Sequence, residues 1–457
     1  MTAIFDIGKT NKKFFVFDAD HREVYREYAT LPLTEDEDGF PTEDVVLLTE
    51  WMQEVFGRAL ANPELSITAL NFSAYGASFV HLNVRGEVVA PLYNYEKPYP
   101  AELEDRFYER YGPEKVFGAT TGSPRSGMLN SGMQLYWLKH NRSETFTRIR
   151  YSLHLPQYLS YVFTGLPVSE YTSIGCHTGL WDYERGGYHD WVDAEGLRGL
   201  LPPVVATETS INLRYGGRNL RVGVGVHDSS AALLPYVRSQ RKPFALVSTG
   251  TWSVSLNPFI AGQLRKEDLA AGGLNYMRTD GEPVRAGRLF LGQEYAEQTA
   301  WLAERFGVGE ERHREVRFDP ELTDHLLADY HPRFRFFRLD NQTDAPTDLP
   351  SGWDYDTAYH QLLLELTEVQ RRSLDAALGD TRIRKLFVDG GFTANEVFMK
   401  LLAHRYPDVK VRTTEASLGS ALGAALAISE STLSKDFLKK NFGLRKFRPF
   451  KLSGKLL

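Results

Sequence analysis

The chain has 457 residues, of which 42% are hydrophobic and 25% charged, and its formal net charge is −6. This length exceeds what one core usually supports and predicts two or three domains. The negative charge disfavours nucleic acid and anionic membranes as partners. A single cysteine, Cys176, excludes an internal disulfide and a cysteine-rich zinc site. No apolar run approaches the roughly 18 residues of a membrane span, and the first residues lack a signal-peptide pattern, so we expect a cytoplasmic protein.

The first half of the chain alternates predicted strands with predicted helices. A helix is predicted over 45–61, where apolar residues recur on one side, and residues 101–161 are mostly helical. The predicted strands of this half are 14–17, 23–28, 66–72, 80–84, 88–90 and 221–224.

The second half begins with a predicted helix over 229–237, and a long amphipathic helix covers 356–378. It also contains a βαβ unit, predicted as strand 385–388, helix 396–405 and strand 409–412. A glycine pair follows the first strand of this unit, at the strand end where open α/β sheets bind ligands.

The last predicted helix, 417–428, is rich in small residues, so we expect it to pack closely against a neighbour. The domain boundary should fall near 216–225, where glycines are frequent. We therefore expect an N-terminal lobe over 1–222 and a C-terminal lobe over 223–457.

Two segments of the chain, 3–9 and 245–251, share one pattern: an apolar run, a polar residue, then a glycine followed by another polar residue. Strand-like sequence follows each of them, which predicts two hairpins. Glycine lets the backbone approach a ligand, and successive N–H groups in such a turn bind anions. Two ordinary hairpins are the alternative, but the repetition favours a cleft with a phosphate-binding turn on each wall.

Several segments, taken in order, resemble the FGGY carbohydrate kinases, which belong to the actin-like, ribonuclease-H-like ATPase fold. The matching segments are Asp6-Ile7-Gly8-Lys9-Thr10-Asn11-Lys12-Lys13, His227-Asp228, Ser248-Thr249-Gly250-Thr251-Trp252, and Asp389-Gly390-Gly391 with Asn395. The segment 169–173 followed by Leu180-Trp181-Asp182 fits as well. The resemblance implies an α/β fold with two lobes, two mixed sheets flanked by helices, and a cleft between the lobes. It also implies ATP, Mg²⁺ and a small-molecule sugar as ligands, and leaves a homodimer open.

Within this family, His227 directly before the acid and the run Gly250-Thr251-Trp252-Ser253 resemble kinases of ketoses of the rhamnulose and fuculose type. Xylulose, ribulose and glycerol remain alternatives. Two departures leave the sugar open. Lys9 stands where many members carry a small or hydroxyl residue, and the sequence around Arg288 lacks the asparagine that rhamnulose kinases use to bind sugar.

The resemblance suggests Asp228 as the general base that accepts the proton of a sugar hydroxyl. The alternative is that Asp228 caps the helix that follows it. Asp6 is the candidate for holding Mg²⁺ through water, or else a turn aspartate bonded to backbone amides. His227 either contacts the sugar or packs as a structural histidine.

The phosphates are expected to bind at both turns. The candidate ligands are Lys9, Thr10, Asn11 and Lys13 from the first turn and Thr249, Gly250 and Thr251 from the second. Lys12, by contrast, is expected to be a solvated strand residue. Gly390 and Gly391 would let the nucleoside lie against bare backbone, and Asn395 either bonds the nucleotide or caps the helix that begins there.

The sugar pocket is expected in the N-terminal half, where segments 73–78 and 93–97 combine aromatic and polar side chains after strands. Gly76, Ser78 and Tyr95 are the best candidates, and Asn130 is a weaker one. Each has a purely structural role as its alternative.

Two other functions stay open. One is an actin- or chaperone-like ATPase that hydrolyses ATP without sugar transfer. The other is a sugar sensor that binds nucleic acid through its basic C-terminal segment, 434–457. The simpler interpretation of that segment is that its aromatic residues pack on the body of the protein.

Overall fold

The structure is a computed structural model that describes residues 1–260, 262–339, 345–414 and 418–450. The strands in chain order are β1 (Thr2–Ile7), β2 (Lys12–Phe17), β3 (Glu23–Ala29), β4 (Leu33–Glu35), β5 (Pro41–Glu43), β6 (Ala69–Ala74), β7 (Phe79–Leu82), β8 (Tyr151–His154), β9 (Ser169–Glu170), β10 (Trp181–Asp182), β11 (Gly187–Tyr188), β12 (Val204–Val205), β13 (Ser210–Tyr215), β14 (Arg218–Gly223), β15 (Val226–His227), β16 (Phe244–Thr249), β17 (Ser253–Asn257), β18 (Gly273–Met277), β19 (Pro283–Leu289), β20 (Lys385–Gly390), β21 (Lys410–Thr413) and β22 (Arg445–Lys446).

The α-helices in chain order are α1 (Val45–Ala61), α2 (Ala101–Tyr111), α3 (Glu114–Thr121), α4 (Ser131–Asn141), α5 (Ser143–Thr147), α6 (Leu155–Thr164), α7 (Tyr171–Ile174), α8 (Asp190–Ala194), α9 (Asp228–Ser239), α10 (Lys266–Ala270), α11 (Leu291–Phe306), α12 (Pro320–Ala328), α13 (Tyr355–Leu378), α14 (Glu396–Arg405), α15 (Gly419–Ala427) and α16 (Phe437–Asn441). Three of the predicted helices begin at side-chain caps. Asp44, Asp354 and Asn395 accept backbone N–H groups at the starts of α1, α13 and α14.

The two large sheets of the molecule repeat one arrangement. In the first, β1, β2 and β3 are antiparallel neighbours, and β6 and β14 continue the sheet parallel to β1. In the second, β16, β17 and β19 are antiparallel, and β20 and β21 continue parallel to β16. Each sheet therefore places one hairpin beside a parallel strand, and the two predicted hairpins are confirmed as β1–β2 and β16–β17.

Two helices, α9 and α15, pack between the sheets, and their contact is very close. A Cβ atom built on Gly423 of α15 would lie 1.8 Å from the carbonyl oxygen of Ala231 in α9, so glycine is required there. This confirms the close packing predicted for the small-residue helix, although residue 417, its predicted start, lies outside the described residues. The apolar cluster around α9 and α15 includes Ile4 of the first sheet and Leu246 of the second, so it joins the two halves.

The basic C-terminal segment packs its aromatic residues on this body. Phe437 and Phe442 belong to the cluster between the sheets, and the Phe450 ring lies 4.6 Å from that of Phe318. The simpler interpretation of the segment is confirmed over 434–450, and residues 451–457 lie outside the described part. Within that part, none of the helices combines the length and the apolar character of a membrane span.

Candidate active site

A cavity of about 630 Å³, here called the central cavity, lies between the ends of the two hairpins. Side chains from both halves of the chain line it. Those from the first half include Asp6, Lys9, Lys13, Tyr75, Gly76 and Tyr95, and those from the second include His227, Asp228, Thr251, Trp252, Tyr276 and Arg288. Most of the predicted phosphate and sugar residues therefore meet in one place, which their separation in the sequence did not require.

The first turn holds a buried carboxylate beside a lysine. The Gly8 N–H donates to the Asn11 carbonyl oxygen at 3.0 Å and closes the turn. Asp6 is buried, and the Lys13 ammonium lies 3.8 Å from its carboxylate. Burial raises the pKa of Asp6, and the nearby Lys13 opposes that rise. Thr10 lines the central cavity as well, while Asn11 is exposed outside its lining.

The prediction that Lys12 is solvated is wrong. Its side chain is only 3% exposed, and its ammonium lies 3.0 Å from the Glu43 carboxylate, which is also buried. The same ammonium donates to the carbonyl oxygens of Gly8 and Lys9. Lys12 thus holds the turn from the side opposite the cavity. Because side chains alternate along β2, Lys12 points away from the cavity and meets Glu43, which comes from another strand.

Asp228 stands at the first position of α9, with His227 as the N-cap residue. Its carboxylate accepts from the Ser229 N–H and hydroxyl and lies 3.3 Å from His227 Nε2. The side chain is 34% exposed, so one face remains open to the central cavity. A helix N-terminus also favours a negative charge at this position.

His227 is buried and held on several sides. Its N–H donates to the Thr172 hydroxyl at 3.0 Å, and its Nε2 lies 3.6 Å from Cys176 Sγ. Burial lowers the pKa of His227, so the ring is neutral near pH 7. Gly76 is needed beside it, because a Cβ there would lie 2.8 Å from the His227 ring.

Tyr95 and Tyr75 form an aromatic wall of the central cavity, with ring centroids 6.1 Å apart. Two other candidates lie elsewhere. Ser78 is buried outside the lining of the central cavity, and Asn130 donates its amide to the Pro124 carbonyl oxygen. Ser78 directly precedes β7 and Asn130 directly precedes α4, and both side chains are buried in the protein interior.

The second turn is shorter and carries no charge. The Gly250 N–H donates to the Trp252 carbonyl oxygen at 2.8 Å. The Thr249 hydroxyl donates to the Asp389 carbonyl oxygen and accepts the Phe392 N–H, so its proton is already used within the protein. Gly390 has φ +83°, and a Cβ there would lie 1.7 Å from the Thr249 carbonyl oxygen. The end of β20 can therefore lie against the second turn only with glycine at position 390.

A second pocket of about 550 Å³, here called the flanking pocket, opens beside the central cavity. Gly250, Thr251 and Gln293 line both spaces. Gly391 and Asn395 line the flanking pocket. Asn395 also caps α14 by accepting the Phe398 N–H at 3.0 Å, and its amide donates to the Tyr359 hydroxyl at 2.8 Å. The capping role considered for Asn395 is therefore confirmed, and its contact with a nucleotide stays a prediction.

Sequence reasoning missed several residues of the site. Arg288 of β19 lines the central cavity, and its guanidinium lies 2.8 Å from His177 Nδ1. His177 has φ +53°, a left-handed conformation that is rare for a residue other than glycine and concentrates at functional sites. Arg314 and Arg317 line the flanking pocket. All four come from segments outside the recognised motifs, so only the folded chain brings them here.

One half-buried and one buried carboxylate line a small cleft next to the central cavity. Asp228, Asp389 and Ser420 line it, and burial raises the pKa of Asp389 to about 7. The described residues contain no group of three or more histidine, cysteine or acidic side chains arranged to hold a metal ion. Mg²⁺ binds through one or two carboxylates and substrate phosphates while it keeps several waters, and the carboxylates of Asp6 and Asp228, which both line the central cavity, are oxygen donors of that kind.

The first 215 residues match the FGGY family of carbohydrate kinases, N-terminal domain. A rhamnulokinase from Bacteroides thetaiotaomicron is 27% identical over 204 residues, which cover 41% of this chain and 40% of that protein. The match thus spans less than half of this relative.

Solved structures agree over nearly the whole chain. A carbohydrate kinase from Novosphingobium aromaticivorans has a TM-score of 0.74 at 23% identity and covers 98% of this chain and 96% of that one. A xylulose kinase from Rhodospirillum rubrum has a TM-score of 0.79 at 17% identity, with 98% and 93% covered. The predicted α/β fold with two mixed sheets flanked by helices is thereby confirmed, and residues 1–215 match the N-terminal domain of the FGGY family of carbohydrate kinases.

Proposed function

We propose that the protein transfers the γ-phosphoryl group of ATP to a sugar hydroxyl, with Asp228 as the general base. The carrying observation is that the central cavity and the flanking pocket adjoin at the second turn, through Gly250 and Thr251. Two ligands that occupy these spaces would meet at that turn, beside the open face of Asp228. His227 directly before the acid and the run Gly250-Thr251-Trp252-Ser253 favour a ketose such as L-rhamnulose or L-fuculose. Xylulose, ribulose and glycerol are the alternatives within the family.

The proposed ligand roles follow the two spaces. The nucleoside lies in the flanking pocket against Gly391 and Asn395, and the sugar lies in the central cavity near Gly76, Tyr95 and His227. Lys13 and the backbone at Gly250 and Thr251 face the phosphates. Asp6 holds Mg²⁺ through water, and the ion neutralises phosphate charge when bound.

In this phosphoryl transfer the protein forms no covalent bond to either substrate. A sugar oxygen forms a bond to the γ-phosphorus, the bond from that phosphorus to the β–γ bridging oxygen breaks, and ADP leaves. The hydroxyl proton moves to Asp228. Neutral His227 places its Nε2 3.3 Å from that carboxylate, and the Ser229 N–H donates to the carboxylate from the helix side. His227 Nδ1 is buried without a hydrogen-bond partner among the described residues, which agrees with a proton on Nε2.

Replacing the base tests the proposal. We expect Asp228→Asn to lower sugar phosphorylation by about 10²- to 10⁴-fold and to leave ATP affinity within a few-fold of the parent. Coupled ADP release with sugar present and absent gives transfer and wasteful hydrolysis separately, and calorimetry gives ATP binding. Asp20→Asn, at an exposed turn, is the matched control.

Near-full transfer by a folded Asp228→Asn protein would remove Asp228 from the mechanism. ATP turnover that no ketose, polyol or aldose stimulates would instead favour an ATPase without sugar transfer.

A further inference from the structure

The segment that leads into Asp228 is short and is held by side chains from the first half of the chain. β15 contains only Val226 and His227 and pairs with β6. The His227 N–H donates to a side chain, the hydroxyl oxygen of Thr172, at 3.0 Å. Asp228 is the next residue, so the position of its carboxylate depends on how this segment is held.

A buried carboxylate orients the Thr172 side chain. The Thr172 hydroxyl donates to Glu170 Oε1 at 2.8 Å, which leaves the hydroxyl oxygen free to accept the His227 N–H. Glu170 is fully buried. Its carboxylate also accepts the N–H groups of Thr172 and Ser173 at 2.8 and 2.6 Å and the Thr207 hydroxyl at 2.6 Å. These hydrogen bonds offset the cost of burying the charge.

Gln157 of α6 makes a second link to the same segment. Its amide nitrogen lies 3.3 Å from the carbonyl oxygens of Val224 and Gly225 and 3.4 Å from the Glu170 carboxylate. A Cβ built on Gly225, which has φ +84°, would lie 2.3 Å from the Pro156 carbonyl oxygen. This segment therefore packs so closely on α6 that a side chain at position 225 would not fit.

Glu170 and Thr172 lie outside the lining of both the central cavity and the flanking pocket. Glu170 is the N-cap residue of α7, which accounts for the two N–H groups that it accepts. Capping does not account for the Thr172 hydroxyl, which connects Glu170 to the strand before the base. Any effect of this pair on the chemistry must pass through the main chain at His227.

Resting on the proposed function, we infer that Glu170 and Thr172 are positioning residues for the base Asp228. Glu170 accepts the hydroxyl proton of Thr172, the Thr172 oxygen accepts the His227 N–H, and Asp228 follows. Proton transfer needs the base within about 2.6–3.2 Å of the sugar hydroxyl, and a displacement of about 1 Å can lower the rate by about 10²-fold. Loss of the link should lower kcat and leave the binding of ATP and sugar nearly unchanged.

Thr172→Val tests the link, because valine keeps the shape of threonine and removes the hydroxyl. ADP release would be measured with ATP and with L-rhamnulose, L-fuculose, xylulose, ribulose or glycerol, whichever the parent phosphorylates fastest. We expect kcat to fall by about 10- to 100-fold, with the KM for each substrate within about 3-fold of the parent. Thr172→Ser, which keeps the hydroxyl, should retain kcat within about 3-fold.

Thr207→Val is the matched control. It removes the other hydroxyl that Glu170 accepts, and the hydroxyl of Thr207 donates to Glu170 rather than to the segment before the base. It should lower the Tm as Thr172→Val does and keep the kcat of the parent. A second test uses the base itself: in the Asp228→Asn background, Thr172→Val should lower the residual transfer by less than about 2-fold, because residues that act through one group are not additive.

Three outcomes would overturn the inference and leave the kinase function intact. They are an unchanged kcat in folded Thr172→Val, equal kcat losses in Thr172→Val and Thr207→Val, and a full further loss in the Asp228→Asn background. If Thr172→Val does not fold, Gln157→Met removes the second link and should show the same dependence on Asp228; an unchanged kcat there overturns the inference as well. A parent protein that phosphorylates none of these acceptors would contradict the proposed function, and the inference with it.

Discussion

The two hairpins that face each other across the central cavity have the same place in their sheets but different chemistry. In the register of segments 3–9 and 245–251, Asp6 corresponds to Ser248 and Lys9 to Thr251. The first turn is held by a hydrogen bond from Gly8 to Asn11, and the second by a tighter one from Gly250 to Trp252. One wall of the cavity is therefore charged, and the other presents backbone amides and hydroxyls.

This contrast shows that the repeated fold positions the two turns, while the side chains determine the contacts that each turn makes. The charged hairpin needs partners outside its own sheet ladder, such as Glu43 for Lys12. The neutral hairpin is instead fastened to the βαβ unit by the Thr249 hydroxyl, which accepts the Phe392 N–H. Three experiments test this contrast between the two hairpins.

Removing the cation behind the first turn should have the largest effect. Lys12→Met leaves the buried Glu43 carboxylate without its ion pair, which should lower the free energy of unfolding by about 3–5 kcal/mol. The corresponding residue of the second hairpin is Val254, which is buried without any charge. Urea unfolding of the parent and the variant measures the difference.

The double variant Lys12→Met/Glu43→Gln should recover most of that loss, because it removes the unpaired charge. Lys242→Met, at an exposed position before β16, should change stability by less than about 0.5 kcal/mol. A single Lys12→Met protein as stable as the parent would show that this ion pair does not hold the turn.

The next experiment tests the partner of the neutral hairpin. A Cβ on Gly391 would meet nothing within 4 Å, so Gly391→Val should fold normally and place its side chain in the flanking pocket. We expect the KM for ATP to rise by about 10-fold or more with little change in the KM for sugar. Steady-state kinetics with each substrate varied in turn would measure this.

Gly390→Ala is the contrasting variant, because its Cβ would lie 1.7 Å from the Thr249 carbonyl oxygen. We expect it to be strongly destabilised or insoluble. Unchanged ATP affinity in folded Gly391→Val would place the nucleoside elsewhere.

The features that the sequence predicted correctly are those that depend on short-range patterns. Apolar periodicity and caps predicted α1 and α14 at their observed bounds, and the glycine turns predicted both hairpins. Lys12 was misassigned because its partner, Glu43, lies on a different strand, and a lysine in a strand is usually solvated. Arg288 and His177 were missed for the same reason: their role arises from packing between distant segments, which no local spacing encodes.

The smallest expected effect compares the two buried carboxylates behind the hairpins. Asp6 has Lys13 at 3.8 Å, whereas burial alone dominates Asp389 and raises its pKa to about 7. A folded-state pKa above the unfolded value of 3.8 means that the folded protein holds this proton more tightly. The stability gained is complete below about pH 4 and is lost as the pH rises to about 7. Asp389→Asn, which cannot ionise, should therefore become more stable relative to the parent as the pH rises from 6 to 8, by on the order of 1–2 kcal/mol. Asp6→Asn should show a smaller trend in the same direction, because Lys13 already favours the ionised form.

Urea unfolding at the lower and the higher pH measures the free energy of unfolding of each variant, with exposed Asp20→Asn as the reference. An Asp389→Asn difference that does not change with pH would mean that Asp389 is ionised in the folded protein, and a cation, protein-borne or bound, would then have to lie beside it as Lys13 lies beside Asp6.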